Sequence, residues 1–297
     1  MRTRYSETAA FRDCRRKWYN SYVLNLTNEA SPEQKFSRAP GTNATGTYVH
    51  GLLEAHYKGE DPAALLALYD AAIDDESQYA DEWQESLNLA WIMFTGYVDW
   101  TEEEGVDQGE ETVATELTLE YEILPGVFVT GTIDRLVYDK TWDRYIVEDY
   151  KTVATLDKGQ QFQMDTQLLT YALLARKNGY PALSAARHTM LRRVKRTARA
   201  KPPFYGRAEL EFNDDQLAAH ERALRATVND MMDVRGWTGI GIQDDPLFVY
   251  PSPTRDCSWD CPFLGICAAH DDGSDIDGLR AALYTVRTTE ETEVPLD

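Results

Sequence analysis

The sequence predicts an α/β domain with a helical front, a strand-rich middle and a cysteine-bearing C-terminal plug. Three observations carry this expectation. Segments rich in Trp, Leu and Ala fill the chain up to about residue 104. Stretches rich in Val, Ile, Thr and Tyr, with alternation, follow from Val113 to Lys151. Beyond them, helix and strand patterns interleave. With 297 residues, 43 % hydrophobic and 27 % charged, the chain fills an ordinary core; disorder, collagen and coiled coil are excluded.

Each element has its own signal. Residues 5–24 read as a basic, aromatic helix, with Ser6 as N-cap and Glu7 in the first turn. Residues 27–42 contain Pro, Ser, Asn and Gly and read as a loop. Residues 43–58 read as a helix, and another runs from Asp61 to about Asp74, with Pro62 at its start. The segment 80–104 is a long helix that stops at Gly105, and an acidic linker follows. Val113–Ile123, Val127–Tyr138 and Arg144–Lys151 form an antiparallel meander, turned by Pro125-Gly126 and by Asp139–Asp143. Residues 159–178 are helical, with Gly179 at the stop and Pro181 beyond. Residues 183–195 and 207–212 read as strands, and 214–235 as a helix stopped by Gly236. The remainder is irregular, with a short helix near 275–286.

Charge is unevenly spread. The net charge of −20 argues against a phosphate-bearing partner when taken alone. Yet Thr166 to Ala208 contains no Asp or Glu and ten Lys or Arg, among them Arg192, Arg193, Lys195 and Arg196. An acidic body with a local basic stripe suits either a polyanion track or a solvated charged face. No apolar run spans a bilayer, the longest candidate being Leu87–Phe94, and the N-terminus lacks the apolar core of a signal peptide. The expected location is therefore cytoplasmic, with no membrane partner.

The chemistry-bearing residues lie in the meander. In Ile146-Val147-Glu148-Asp149-Tyr150-Lys151-Thr152, residues two apart share a strand face. Asp149 and Lys151 therefore point one way, and Glu148 and Tyr150 the other. Asp134, in Gly131-Thr132-Ile133-Asp134, lies on the preceding strand and can sit beside Asp149. Two converging carboxylates make a hard oxygen site for Mg²⁺ or Mn²⁺. An adjacent ammonium can orient a water and stabilise developing negative charge. Such a set serves in-line attack on a phosphodiester; a surface Asp–Lys pair is the plainer alternative.

Further matches extend the pattern. Gln167-Leu168-Leu169-Thr170-Tyr171 places Gln167 and Tyr171 about one helical turn apart, and Gly46-Thr47-Tyr48-Val49-His50 lies upstream. In this order, the residues resemble the PD-(D/E)XK nuclease superfamily in its RecB-like branch. The resemblance implies a restriction-endonuclease-like core, a mixed central sheet flanked by helices. It also implies that His50, Asp134, Asp149 and the Tyr150 carbonyl bind a divalent metal. Lys151 would position the attacking water, and Gln167 and Tyr171 would contact DNA or hold the active-site helix. Glu116 reads as a solvated strand residue, with a second-metal carboxylate as the alternative. Trp18 and Tyr19 could stack bases, core packing being the safer reading.

Four cysteines are present. Cys14 precedes the core, and Cys257, Cys261 and Cys267 follow it as Cys-x3-Cys-x5-Cys. A cytosolic chain is not expected to hold disulfides. One upstream and three downstream cysteines resemble the iron–sulfur subset of the branch, such as AddB-type nucleases and the CRISPR-associated Cas-four exonucleases. That resemblance implies a 4Fe–4S cluster stapling the first helix to the plug; spacing alone suits structural Zn²⁺ equally.

The resemblance covers residues 5–24, 43–58, 113–178 and 255–268, and one nuclease domain over 1–297 is expected. Residues 1–110 form the helical front with Cys14 and His50, and 111–235 the nuclease core. Residues 236–270 form the iron–sulfur Cys segment, and 271–297 an acidic tail. No Gly-x-x-x-x-Gly-Lys-Ser/Thr pattern is present, so a stand-alone nuclease is expected. The implied activity is metal-dependent DNA exonuclease action at single-stranded ends, with a helicase or recombination protein as candidate partner. The alternatives are a non-catalytic iron–sulfur DNA-binding or adaptor protein, and a zinc-stabilised nuclease acting on RNA or branched DNA.

Overall fold

The structure, a computed structural model, describes residues 1–28, 32–41, 43–156, 165–238, 248–258 and 261–287. In chain order these form β1 (Arg2–Arg4), α1 (Tyr5–Asp13), α2 (Arg15–Trp18), a π-helical turn (Tyr19–Val23), β2 (Leu26–Thr27) and a 3₁₀ turn (Pro32–Ser37). Then come α3 (Ala44–Lys58), α4 (Pro62–Ala71), α5 (Ala80–Glu104), β3 (Glu110–Leu124), β4 (Val127–Asp139) and β5 (Arg144–Val153). They are followed by α6 (Thr166–Lys177), β6 (Leu183–Arg192), β7 (Tyr205–Glu211) and α7 (Asp214–Thr238). The plug carries α8 (Leu264–Cys267), α9 (Ile276–Leu283) and β8 (Thr285–Val286). None of the described helices is long and apolar enough to cross a membrane.

Contacts divide the chain into two compact units. One comprises Ala30–Leu119 and Gly131–His220, the other Met1–Glu29, Glu120–Thr130 and Glu221–Asp297. The larger unit is a mixed α/β arrangement around a central sheet. Its strands follow the order β4-β5-β6-β7, with β3 pairing β4. β4 and β5 are antiparallel, β5 and β6 parallel, and β6 and β7 antiparallel. The parallel step requires a crossover, which contains α6. Register then sets the chemistry: Glu148 lies opposite Arg187, and Asp149 opposite His188.

Helices cover both faces of β5. Tyr150 and Leu191 join Leu52 and Leu53 of α3 and Leu87, Met93 and Tyr97 of α5 in one buried core. Each fully buried Leu contributes roughly 1.5–3 kcal/mol, so this core is the main support of the front helices. On the other face, α6 meets Asp149 and Lys151 through Gln167. Two motif glycines allow close approach. A Cβ at Gly46 would stand 3.0 Å from Thr152 Oγ1, and one at Gly131 would stand 2.8 Å from the Tyr171 ring.

In the smaller unit, β1 runs parallel to Phe128–Thr130 and β2 antiparallel to β8. Phe11, Trp18, Tyr19, Met231, Val234 and Val249 form its core. The first helix is not continuous. Cys14 is extended (φ −159°, ψ 113°) and separates α1 from α2. Arg4, at the end of β1, takes the N-cap position expected of Ser6, because pairing with Thr130 holds it extended. α7 continues through Gly236 to Thr238, where a stop was expected; an interior glycine costs about 1 kcal/mol but does not end a packed helix. The expected start of α6 at residue 159 lies outside the described residues.

Candidate active site

The site is assembled at β4 and β5 of the larger unit. Asp134, on β4, accepts a 2.7 Å hydrogen bond from the Tyr150 backbone N–H through Oδ2. That oxygen also lies 3.5 Å from His50 Nδ1 on α3. Glu116 joins them. It occupies a left-handed backbone conformation (φ 47°) within β3, a costly arrangement for a residue with a side chain beyond Cβ. One ligand atom from each of His50, Glu116 and Asp134 lies within 4.8 Å of the others. Glu116, read as a solvated strand residue with a metal carboxylate as the alternative, is partly exposed and stands beside Asp134.

Electrostatics follow from this crowding. Burial and the charge of Asp134 push the Glu116 carboxyl up to about 7. Burial alone would lower His50, but its bond to Asp134 and the surrounding carboxylates raise it. One imidazole and two carboxylates form a donor set suited to a divalent cation such as Mn²⁺ or Mg²⁺. A cation there would relieve the repulsion that holds Glu116 protonated. The donors therefore fit the metal that the resemblance implies.

Asp149 faces a second group of partners. Its side chain is nearly sealed from solvent. Oδ2 lies 2.7 Å from Lys151 Nζ and 2.9 Å from His188 Nδ1, and Oδ1 accepts from Gln167 Nε2 at 3.1 Å. Burial would raise this carboxyl, but the His188 bond and the Lys151 ammonium hold it below the usual range. Gln167 Oε1 accepts from Lys151 Nζ at 2.9 Å, and Gln167 Nε2 donates to Tyr171 at 3.0 Å. Asp149, Lys151, Gln167 and Tyr171 therefore meet as one hydrogen-bonded set. Lys151, with about a third of its side chain exposed, presents its ammonium at the edge of that set.

A model of the PD-(D/E)XK nuclease superfamily matches residues 5–268. The chain belongs to that superfamily. As a PD-(D/E)XK protein it carries the expectation of nuclease-type phosphodiester hydrolysis, a nucleic-acid substrate and a divalent metal. Among solved structures, the crystal structure of SSO0001 is similar at 17 % identity, with 80 % of this chain and 92 % of that chain covered and a TM-score of 0.34. No curated protein matches.

The remaining expected residues are placed as follows. Of the basic residues at and after the end of β6, Arg192, Lys195 and Arg196 have local side-chain partners. Arg192 donates to the Lys201 carbonyl at 3.2 Å, the Arg193 backbone N–H donates to Val153 O at 2.7 Å, and Lys195 pairs with Glu85 at 3.0 Å. The Arg196 guanidinium lies over Phe204 and donates to the Tyr205 hydroxyl at 2.6 Å. Trp18 and Tyr19 are buried core residues, in line with the packing reading.

No cluster is shown at the cysteines. All four are free and belong to the smaller unit. Zinc–sulfur bonds of about 2.3 Å require sulfurs roughly 3.8 Å apart. Among the described residues no three of these thiols come within 4.8 Å of one another. Among the described residues the thiols are therefore not gathered as a tetrahedral zinc site. Hydrogen-bond donors do reach the sulfurs. Cys14 Sγ accepts from the backbone of Lys17 and Ser252 at 3.5 and 3.4 Å, and Cys257 Sγ from Thr254 at 3.3 Å. Arg16 Nη1 lies 3.9 Å from Cys267 Sγ.

Sequence reasoning missed His188 and Asp165. His188 Nε2 lies 2.8 Å from Asp165 Oδ2, and Asp165 Oδ1 caps α6 by accepting from Gln167 N and Leu168 N at 2.7 and 3.0 Å. An Asp ahead of a helix is a readable N-cap signal. Nothing local in Ala186-Arg187-His188-Thr189 announces that His188 faces Asp149, since this depends on the β5–β6 register.

Proposed function

We propose that the chain is a metal-dependent DNA exonuclease of the RecB-like branch, acting at single-stranded ends. The observation that carries this reading is the hydrogen-bonded set of Asp149 and Lys151 on β5 with Gln167 and Tyr171 on α6, together with the donor group of His50 on α3, Glu116 on β3 and Asp134 on β4. His50, Glu116, Asp134 and Asp149, with the Tyr150 carbonyl, would hold the cation. When bound, that cation supplies Lewis-acid stabilisation of phosphoryl oxygens and lowers the pKa of water. Lys151 offers ammonium donors that orient the nucleophile and offset charge developing on the phosphate. Gln167 fixes the Lys151 ammonium through Oε1, and Tyr171 in turn steadies Gln167. Contacts along Arg192, Arg193, Lys195 and Arg196 would be to phosphates, giving little sequence specificity. Recombination or viral DNA processing suits such an activity, with a helicase or recombination protein as partner in the cytoplasm.

The test is a nuclease assay on end-labelled single-stranded and duplex DNA with Mn²⁺, Mg²⁺ or EDTA. Wild type is expected to degrade single-stranded ends only with metal. Lys151→Ala is expected to lose about 10²–10³-fold in kcat, the scale of removing one preorganised charge stabiliser. A folded, metal-supplied wild type that leaves every DNA intact would overturn the reading.

A 4Fe–4S cluster on Cys14, Cys257, Cys261 and Cys267 belongs to the same proposal. It is supported by four free thiols in one unit and by the donors that reach three of the sulfurs. Its role would be to tie the chain near Cys14 to the plug, closing a long loop. Anaerobically purified protein should contain iron and acid-labile sulfide, and Cys14→Ala should lower both the cluster content and the melting temperature. Full iron loading with unchanged melting in that variant would remove the four-cysteine assignment; zinc without iron would replace it.

A further inference from the structure

We propose that His188 is a positioning residue that locks Asp149 and the first turn of α6 into one geometry. The inference rests on the nuclease reading for its effect on activity, and on hydrogen bonds alone for its structural content. His188 is almost completely buried. Its Nδ1 lies 2.9 Å from Asp149 Oδ2 and its Nε2 2.8 Å from Asp165 Oδ2. Ionised carboxylates only accept, so both ring nitrogens serve as donors. Asp165 uses its other oxygen to cap α6 at Gln167 N and Leu168 N. The Gln167 side chain then returns to Asp149 Oδ1 and to Lys151 Nζ.

These links close a ring: Asp149, His188, Asp165, the first turn of α6, Gln167 and back to Asp149. The ring joins three elements, β5, β6 and α6. It fixes both oxygens of Asp149, one through His188 and one through Gln167. Without His188, Asp149 Oδ2 would keep only the Lys151 ammonium on the β5 side, and the start of α6 would lose its tie to β6. Gln167 would then aim less accurately at Lys151. Because the ring touches the reacting groups and not the basic residues after β6, its loss should act on turnover more than on DNA affinity. Outer partners of this kind contribute roughly 10–100-fold to activity or metal affinity.

Three variants of the full chain test this. His188→Asn carries an amide able to reach the Nδ1 position and hence Asp149. His188→Gln reaches the Nε2 position and hence Asp165. His188→Leu keeps the volume and neither bond. We expect His188→Leu to lower kcat on single-stranded DNA by about 10–100-fold with KM within about twofold. The two amide variants should fall between it and wild type. An independent readout is the Gln167 side-chain amide in ¹⁵N NMR. It should be protected from solvent exchange in wild type and shifted and unprotected in His188→Leu.

A folded His188→Leu with wild-type kcat and an unchanged Gln167 amide would overturn the inference. So would a loss of kcat that disappears on cooling to a temperature at which the variant is fully folded. A wild type inactive on all DNA, combined with the expected Gln167 shift, would overturn the nuclease reading while leaving the positioning role standing.

Discussion

Glu148 and Asp149 are neighbours in the chain and opposites in the fold. Glu148 faces the front helices in a closed network of charge. It accepts from Arg135 Nη1 at 2.9 Å, from Arg187 Nη2 at 3.0 Å and from Thr189 Oγ1, and Arg207 lies 3.3 Å away. Glu110 pairs with Arg187, Asp107 pairs with Arg207, and the Tyr57 ring stacks under Arg135. Burial would raise Glu148, but the guanidiniums hold it well below the usual carboxylate range. Asp149, one residue on, meets an ammonium, an imidazole and an amide. Strand alternation thus sorts adjacent carboxylates into a scaffold side and a chemical side. The acidic linker after α5 belongs to the scaffold side, since Asp107 and Glu110 supply anions that the three arginines require.

The strongest way to break this comparison is to remove the scaffold carboxylate. Glu148→Ala would leave Arg135, Arg187 and Arg207 short of their central anion in a buried site. A cost of about 3–5 kcal/mol is expected, because an uncompensated buried charge is left behind. Urea unfolding should show the loss as a lower midpoint with little change in slope. Lys151→Ala should do the reverse: turnover falls by the factor given above, while stability falls by less than in Glu148→Ala. Asp149 keeps His188 and Gln167 in that variant. If Glu148→Ala unfolds no more easily than Lys151→Ala, the division of labour across β5 is wrong.

The difference between the two sides also governs what could be read in the sequence. The meander was legible, because alternation and Pro125-Gly126 are local signals, and β4 and β5 pair antiparallel as expected. Face assignment on β5 followed from the two-residue period, so Asp149 with Lys151, and Glu148 on the opposite face, were legible too. His188 was not, because a parallel β6 meets β5 only after the crossover through α6. Glu116 was legible only as an alternative: a left-handed residue inside a strand breaks the alternation by which a face is judged. The break at Cys14 escaped notice because residues 5–24 carry helix-compatible side chains throughout. The extended backbone of Cys14 is a property of how the chain packs, not of its propensity.

The subtlest comparison sets Glu116 against Asp149, a carboxyl pushed up against one held down. Glu116 rises from an ordinary value of 4.5 to about 7 because it is partly buried and stands beside Asp134. Between those two values the folded, metal-free chain holds a proton that the unfolded chain has released. The contribution of this group to stability is therefore fully present below about 4.5 and is lost as pH rises through about 7. A divalent cation competes with that proton. Calorimetric titration with Mn²⁺ in buffers of different ionisation enthalpy should show proton release at pH 6, with affinity rising as pH passes through about 7. His50, also raised, releases a second proton over its own range. Glu116→Gln separates the two, since it should remove the Glu116 proton and leave that of His50. Unchanged proton release in Glu116→Gln would mean that Glu116 does not share the cation with His50 and Asp134. The left-handed backbone at φ 47° would then be a feature of the strand alone.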